Sequence, residues 1–482
     1  MADLAEKSKM GKTTQKGRLL GIATPLGEDF VLLRQMSASE GISQLFTVRV
    51  ELVREETGKD RFKSTTLEPD SLLGKTVTIR INQSEKEKRF FTGIVNRFSQ
   101  GTRNKEYSFY YATIVPHVWL LTQNSRSRIF QHKTVPDILA EIFEDFDVSP
   151  EFVGEFKQRN FCVQYRESDF DFASRLMEEE GIYYYFVHEE GMDKMILSNS
   201  PQSHRDCPNK SEFPYHVEEW TEKIKAKPIR TWHTDHTLQT GKVVLRDYHF
   251  QLPTLDFLVE QPSRYDAGGN RTLELTDFPG GYARKYDGID KAGAEQKSKL
   301  DDIYPDRDAT AKIMMEALDA QVEVSNGTSL CSPITAGHKF KLQNHPNKDA
   351  NGAYVITTVE HEAQQSPDYR SDLDLGVAYQ NTFTCIPHGG GAPVFRPLRK
   401  TPKPVVEGTQ TAFVVGDGGQ EIFTDKYGRV KVQFNWDPTK ENNKDSCCWV
   451  RVAKDIAGSK WGTMYIPRAG QEVIVDFLQG DP

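Results

Sequence analysis

Phe46-Thr47-Val48-Arg49-Val50-Glu51-Leu52 alternates apolar and polar residues, the period of a half-buried strand. Val77-Thr78-Ile79-Arg80-Ile81 repeats the pattern, and Phe90 to Val95 and Tyr107 to Val115 add two more strands. Short strands crowded into 18–115 predict a barrel or sandwich. The pattern changes at 134. Thr134 caps a predicted helix with an apolar face of Val135, Ile138, Leu139, Ile142 and Phe143, and Ser168-Asp169-Phe170-Asp171 fits a capping box. That second helix is predicted to run to about Glu180, with Gly181 as its stop and the aromatic strand Ile182 to Val187 behind it. Further on, strands are predicted at 243–250, 339–342 and 354–360. A helix is predicted at 308–320 with Ile313, Ala317 and Leu318 on one side.

Pro387, Pro393, Pro397, Pro402 and Pro404, with Gly389 to Gly391, favour an extended linker. The block after it reads as all β. In Arg429 to Phe434 the residues Val430, Val432 and Phe434 are expected to face in, and Arg429, Lys431 and Gln433 out. Trp449 to Val452 and Glu472 to Phe477 add strands, and Asp417-Gly418-Gly419 and Tyr427-Gly428 supply turns. About five strands in ~70 residues fit a small Greek-key barrel such as an OB fold. No internal repeat with a period of 20–50 residues is evident.

The chain has 482 residues and a net charge of −8, with 37% apolar and 27% charged residues. A nucleic-acid footprint over the whole chain would be basic. The first residues are locally basic, with Lys7, Lys9, Lys12, Lys16 and Arg18, but no apolar run follows them, so this is not a secretory signal. No stretch approaches the ~18 apolar residues of a membrane helix. The six cysteines contain no CxxC pair, which fits reduced thiols in the cytoplasm. On a strand, adjacent Cys447 and Cys448 would point to opposite faces, which argues against a shared metal or disulfide.

Catalytic motifs fail one by one. His361-Glu362 and His188-Glu189 each begin a zinc-protease helix motif and lack its second histidine. Gly11-Lys12-Thr13 and Gly74-Lys75-Thr76 lack the upstream glycine of a phosphate-binding loop. No GxSxG elbow occurs. His233 and His236 read as a solvated pair rather than a chelate, and Glu178-Glu179-Glu180 as the exposed end of a helix. No catalytic, cofactor-binding or metal-binding residue is assigned. In 411–482 nine Lys and Arg oppose ten Asp and Glu, and Phe434, Tyr465 and Phe477 read as core. Both features argue against a single-strand nucleic-acid groove.

One family resemblance covers most of 18–482. TAFVVG (411–416), EIFTDKYGRVKVQFNWDP (421–438), CWVRVA (448–453) and WGTMYIPRAGQEVIVDFLQGDP (461–482) resemble the OB-fold region of the valine-glycine repeat protein G (VgrG) family, the type VI secretion spike. Tyr165 to Phe170, Arg175 to Tyr183, Asn351 to Ile356 and Phe395-Arg396-Pro397 fit the same family upstream. The resemblance implies a mainly β fold with some helices. Phage-hub-like β-barrels would come first and an OB barrel last.

The expected divisions are a disordered tail at 1–17, a hub-like region at 18–390, a linker at 391–408 and the OB domain at 409–482. Within the hub, two related barrels at about 18–130 and 230–385 would flank inserted elements at 131–229. The resemblance further implies a homotrimer seated on a hexameric inner-tube protein. A needle and its cap protein would follow the OB domain, and the assembly would carry effectors across a target-cell membrane. Such a protein would be assembled in the cytoplasm and exported without a signal peptide.

Gly428 and Gly470 are then expected to serve turns, Trp449 and Trp461 packing, and Pro467 a strand end. The chain ends at Gly480-Asp481-Pro482, where the family continues into the needle, so it reads as a fragment. An enzyme of cell-wall cleavage and an OB-fold nucleic-acid binder are the alternatives.

Overall fold

The computed structural model describes residues 14–55, 67–83, 88–104, 107–216, 228–365, 378–458 and 461–482. Lys7, Lys9, Lys12 and the Gly11-Lys12-Thr13 string lie outside the described residues. The ordered chain already includes Gln15, whose buried amide bonds the backbone of Ile22 and Val31. Gln15 lies within the tail expected at 1–17, whose residues 1–13 lie outside the described residues.

The first half of the chain forms six strands: β1 (Leu20–Ala23), β2 (Leu32–Gly41), β3 (Gln44–Glu55), β4 (Thr76–Asn82), β5 (Lys88–Arg103) and β6 (Tyr107–Val115). They pair in the order β1-β4-β5-β6-β3-β2. Alternation puts Phe46, Val48, Val50 and Leu52 of β3 into a core with Ile79, Ile81 and Phe91.

Inserted elements follow. Strands β7 (Ser125–Lys133) and β9 (Arg159–Ser168) pair as one ribbon, while β8 (Val148–Glu151), β10 (Tyr183–Glu189) and β11 (Met192–Ser198) form a small sheet. Helix α1 (Val135–Ile142) carries the full capping box, Thr134 with Asp137. Helix α2 (Asp169–Glu179) is capped differently. Ser168 Oγ accepts the amide of Asp171, but the Asp171 carboxylate takes the Ser168 hydroxyl instead of an amide. Gly181 follows at φ +66°, the left-handed stop expected of it.

The second half adds β12 (Glu212–Pro214), β13 (Ile229–His236), β14 (Lys242–Leu245), β15 (Val259–Pro262), β16 (Glu274–Asp277), helix α3 (Ile303–Asp319), β17 (Glu323–Ser329), β18 (Lys339–Gln343), β19 (Gly352–Gln364) and β20 (Tyr379–Pro387). Strand β14 stops at Leu245, short of the expected Phe250, and α3 begins five residues before the expected 308. Strands β14, β15 and β16 make a separate sheet against α3.

The remaining strands repeat the first half. They pair β18-β19-β20-β17-β13, as β4-β5-β6-β3-β2 do. One row across the first set reads Ala38, Val48, Ile114, Val95, and its counterpart reads Thr234, Ser325, Cys385, Ile356. The register breaks recur in step. Val95/Arg97 on β5 matches Ile356/Thr358 on β19, and Leu33/Gln35 on β2 matches Ile229/Thr231 on β13. Bulges are specific features of a strand pair, so two in equivalent places mark a duplicated unit. No repeat of 20–50 residues was legible because the unit is far longer. Strand β2 then pairs with β19, which fuses both halves into one twelve-stranded sheet.

The C-terminal block holds β21 (Gln410–Val415), β22 (Lys431–Phe434), the short pair β23 (Ala457–Gly458) and β24 (Trp461–Gly462), and β25 (Glu472–Val475). The order is β22-β21-β25. Expected strand 449–452 is reduced to one bridge, Val430 with Val450.

Gly337 is a point where the halves and the insert meet closely. It sits at φ +79°, and an added Cβ would lie 2.4 Å from Cβ and Cγ of Tyr185 on β10. Gly337→Ala is expected to cost about 2–4 kcal/mol from backbone strain plus overpacking. Urea denaturation checks this, and a loss below about 0.5 kcal/mol would mean that Tyr185 moves aside freely.

Candidate functional site: a buried charged junction and an exposed C-terminal face

Glu40 of β2 is almost fully buried where the two halves join. Arg89 of β5 donates to both its oxygens, at 2.8 and 3.1 Å. His361 of β19 donates Nε2–H to it at 3.0 Å, and the Ala336 amide at 3.3 Å. Tyr379 then gives its hydroxyl to His361 Nδ1 at 2.7 Å and accepts from Asn381 at 2.9 Å. Burial opposes ionisation of Glu40, but the Arg89 guanidinium and the His361 hydrogen bond outweigh it and hold its pKa at about 2. His361, which began a metalloprotease motif, is thus a structural ligand of a carboxylate. Its counterpart His188 is buried among Phe46, Phe91 and Phe186.

The acidic run 178–180 corrects another expectation. Glu179 is buried and bonds Arg159 at 2.7 Å, and Glu180 bonds the second arm of the same guanidinium. Lys285 lies 3.7 Å from Glu180, and Lys403 of the linker 3.7 Å from Glu179. Glu178 accepts the amides of Lys400 and Thr401, each at 3.0 Å. These acids anchor the linker instead of facing solvent. Arg396 reinforces the same seam through Glu316 at 2.8 Å and the carbonyls of Gly181 and Asn199.

A second seam joins the C-terminal block to residues 287–295. Arg429, Lys431 and Gln433 were expected to face outward, and all three are buried. Arg429 bonds Asp287 through both terminal nitrogens, at 2.7 and 3.0 Å, and Asp425 at 2.6 Å. Lys431 donates to the Lys444 carbonyl and sits over the Trp449 ring. Gln433 donates to Asp437. Strand alternation holds, but the polar face is covered by neighbouring chain.

Trp449 is buried, packs on Phe423 and donates Nε1–H to the Asp290 carbonyl at 2.7 Å. Gly428 and Gly470 both hold positive φ, at +68° and +88°. Gly428 closes a turn on Asp425. Gly470 donates to Val414 and so ties the approach of β25 to β21. Pro467 is half-buried in the segment leading to that turn. Trp461 lies over Gly458 and is still 68% exposed, so this chain leaves most of its ring uncovered. Tyr465, read as core, is also exposed, at 62%. Met464, Ile474 and Leu478 are exposed with them, and Phe413 and Ile474 share the outer face of the β21–β25 pair.

The cysteines and histidines gather no metal set among the described residues. Cys447 lies in a bend and Cys448 in the irregular chain after it, neither on a strand, with Cys447 Sγ donating to the Cys448 carbonyl and accepting the Val432 amide. His233 and His236 lie on exposed β13, not in a loop, with His233 paired to Asp235. One side-chain arrangement corresponds to no local sequence motif. Thr76 Oγ1 lies 2.9 Å from His117 Nε2, and Asp193 binds His117 Nδ1 and its amide. The Asp193 hydrogen bond raises the His117 pKa. Its members are spread over 76–193, so no local motif could announce it.

Residues 39–367 match the family model of the phage tail baseplate hub, and 421–482 that of the type VI secretion and phage-baseplate injector OB domain. Two Pseudomonas aeruginosa spike proteins are each 36% identical to the chain over 97% of its length. They are VgrG1b, of which the chain spans 59%, and VgrG1a, of which it spans 68%. The chain belongs to the VgrG family of type VI secretion spike proteins. A solved E. coli type VI secretion component, described as similar to T4 tail proteins gp27 and gp5, shares the fold. Its TM-score is 0.63 at 18% identity, over 96% of this chain and 97% of that one. In this VgrG-family chain the hub and OB regions meet through the two charged seams.

Two outcomes test the seams. Arg159→Met leaves two buried carboxylates short of their cation and is expected to cost about 3–5 kcal/mol. Adding Glu179→Gln and Glu180→Gln should restore part of that, and no rescue would locate the cost in packing.

Acid should loosen the fold in a defined window. Burial holds His188 at about 3 and His204 and His338 at about 4, below the ordinary 6.5. The unfolded chain therefore binds those protons first. Their contribution is complete above about pH 6.5 and falls as pH drops towards 4, and Glu40 adds its loss between about 4.5 and 2. The expected slope is on the order of 1 kcal/mol per pH unit per histidine. Denaturation midpoints at pH 7.5, 5.5 and 4.5 read it, and a flat profile would contradict neutral buried histidines.

Proposed function

We propose that this chain is the hub and OB part of a type VI secretion spike and that it works mechanically, as a homotrimer at the end of the inner tube. The observation that carries the reading is the exposed apolar set Trp461, Met464, Tyr465, Ile474 and Leu478 in a chain of the spike family. Large apolar side chains left open in one small block mark a protein interface. In a threefold assembly they would be covered by neighbouring copies.

On this reading the hub at 18–390 sits on the hexameric tube protein. Its duplicated halves match three chains to six subunits. The linker at 391–408 and OB domain at 409–482 carry the threefold axis outward to the needle, its cap and effectors. Gly428 and Gly470 hold turns, Trp449 locks the OB block to the hub, Pro467 ends a strand, and Trp461 packs between copies. Assembly takes place in the cytoplasm, and export follows sheath contraction through the target membrane, without a signal peptide, cofactor, metal or nucleic acid.

Sedimentation velocity tests this directly. The expected species lies near 164.4 kDa, three times 54.8 kDa. Ile474→Asp is expected to weaken association at least tenfold. A monomer at every concentration would remove the trimeric reading for these domains.

A second reading rests on one observation, the nucleophile–base–acid order of Thr76, His117 and Asp193. It predicts cleavage of a cell-wall or ester substrate that Thr76→Ala abolishes. Activity unchanged in that variant, or absent at micromolar protein, ends it.

A further inference from the structure

The duplication supplies an internal control for the solvent face of the hub sheet. In the first unit two neighbouring rows of that face read Ser37, Arg49, Thr113, Arg97 and Gln35, Glu51, Tyr111, Ser99 across β2, β3, β6 and β5. Their counterparts in the second unit read His233, Asn326, Thr384, Thr358 and Thr231, Thr328, Thr382, Glu360 across β13, β17, β20 and β19. The second unit closes this face on itself. The hydroxyls of Thr358 and Thr384 lie 2.7 Å apart and those of Thr231 and Thr328 2.8 Å apart. Asn326 donates to Asp235 at 2.9 Å, and Glu360 accepts from Ser39 at 2.6 Å.

The first unit leaves the equivalent face open. The side chains of Arg49, Arg97, Ser37, Ser99, Thr113 and Tyr111 have no hydrogen-bond, ion-pair or ring partner among the described residues, and they line one groove of about 470 Å³. Glu51 also lines the groove, but Arg34 takes its carboxylate. Tyr111 lies across Gly101 of β5, where an added Cβ would come within 2.7 Å of its ring. The backbone beneath therefore gives the ring its place, and the ring stays 46% exposed. A lone solvated arginine on a strand is ordinary. Two in one row, among four more unpaired polar heads, contrast with a duplicate of the same face that satisfies itself.

We propose that this groove binds an acidic, extended segment of another polypeptide. The inference does not use the oligomeric reading above. Arg49 and Arg97 stand two strand spacings apart, roughly 10 Å, which is also the reach of three residues of extended chain. Carboxylates at that spacing can each meet one guanidinium as a fork. The hydroxyls of Ser37, Ser99 and Thr113 can donate to the remaining oxygens. Tyr111 adds an apolar ring with a polar tip. The whole chain carries a charge of −8, so this positive pair attracts acid against a background that repels it. A single exposed ion pair is worth little. Binding therefore depends on both forks acting on one segment.

Fluorescence anisotropy on the full chain reads this. The probe is a labelled peptide with glutamate at every third position, beside its glutamine twin. The glutamate peptide is expected to bind at low salt and to weaken as salt rises, and the twin is expected not to bind. Arg49→Gln with Arg97→Gln should weaken binding about tenfold or more. The urea midpoint of that variant should stay at the parent value, because both side chains are exposed. Arg271→Gln, at an 80% exposed arginine just before β16, should leave binding unchanged. Equal binding of the two peptides, undiminished affinity in the double variant, or an equal loss in Arg271→Gln overturns the site, as does no binding at millimolar peptide. Inorganic phosphate or a single-stranded oligonucleotide that binds more tightly than the peptide assigns the groove to phosphate and overturns the acidic-segment partner.

Discussion

The joint between the two halves of the hub is arranged around one carboxylate that cannot be left alone. Glu40 sits on β2, its guanidinium partner on β5, its imidazole partner on β19, and the relay behind that imidazole on β20. A buried charge short of a partner costs several kcal/mol. The two halves therefore have one acceptable mutual position, the one in which Arg89, His361 and the Ala336 amide reach Glu40 together. Apolar packing across the same joint would tolerate sliding of one half on the other. A hydrogen-bonded ion set does not, because a shift of one residue turns every side chain of β2 to the opposite face.

The same device recurs at the two outer seams with different residues. Arg159 gathers the end of α2, and Arg429 gathers Asp287 and Asp425 across the boundary of the OB block. Guanidinium suits this use, since its planar fork reaches two carboxylates in fixed geometry and stays charged when buried. Lys403 and the amides of Lys400 and Thr401 then bind the linker to helix α2. A proline-dense stretch between domains would be only semi-rigid by itself. Its backbone is held at a carboxylate, so the C-terminal block meets the hub through a braced strut.

How much of this the sequence disclosed follows the range of each interaction. Strands β3, β4, β6 and β10, both insert helices and the Gly181 stop were legible, because alternation, caps and left-handed glycine act over a few residues. The OB block was legible through turns and through motifs of a known family. Glu178 to Glu180 were misread as a solvated helix end. Their partners Arg159, Lys285 and Lys403 are far apart in sequence, and local charge density looks the same whether solvent or an arginine faces it. Arg429, Lys431 and Gln433 were misplaced for the same reason. Period-2 alternation says which face a residue takes, and nothing in it says what covers that face.

Trp461 and Tyr465 failed in the opposite sense. They read as packing and as core, and they stand in the open. Aromatic and aliphatic residues at strand spacing are selected for burial without regard to which chain buries them, so a surface destined for another copy carries the same pattern as an interior. The exposed remainder left after one chain has folded is what distinguishes the two. In this chain that remainder includes Trp461, Met464, Tyr465, Ile474 and Leu478 of the C-terminal block. Apolar cover is non-directional and proportional to area, so it can hold copies together without fixing their rotation.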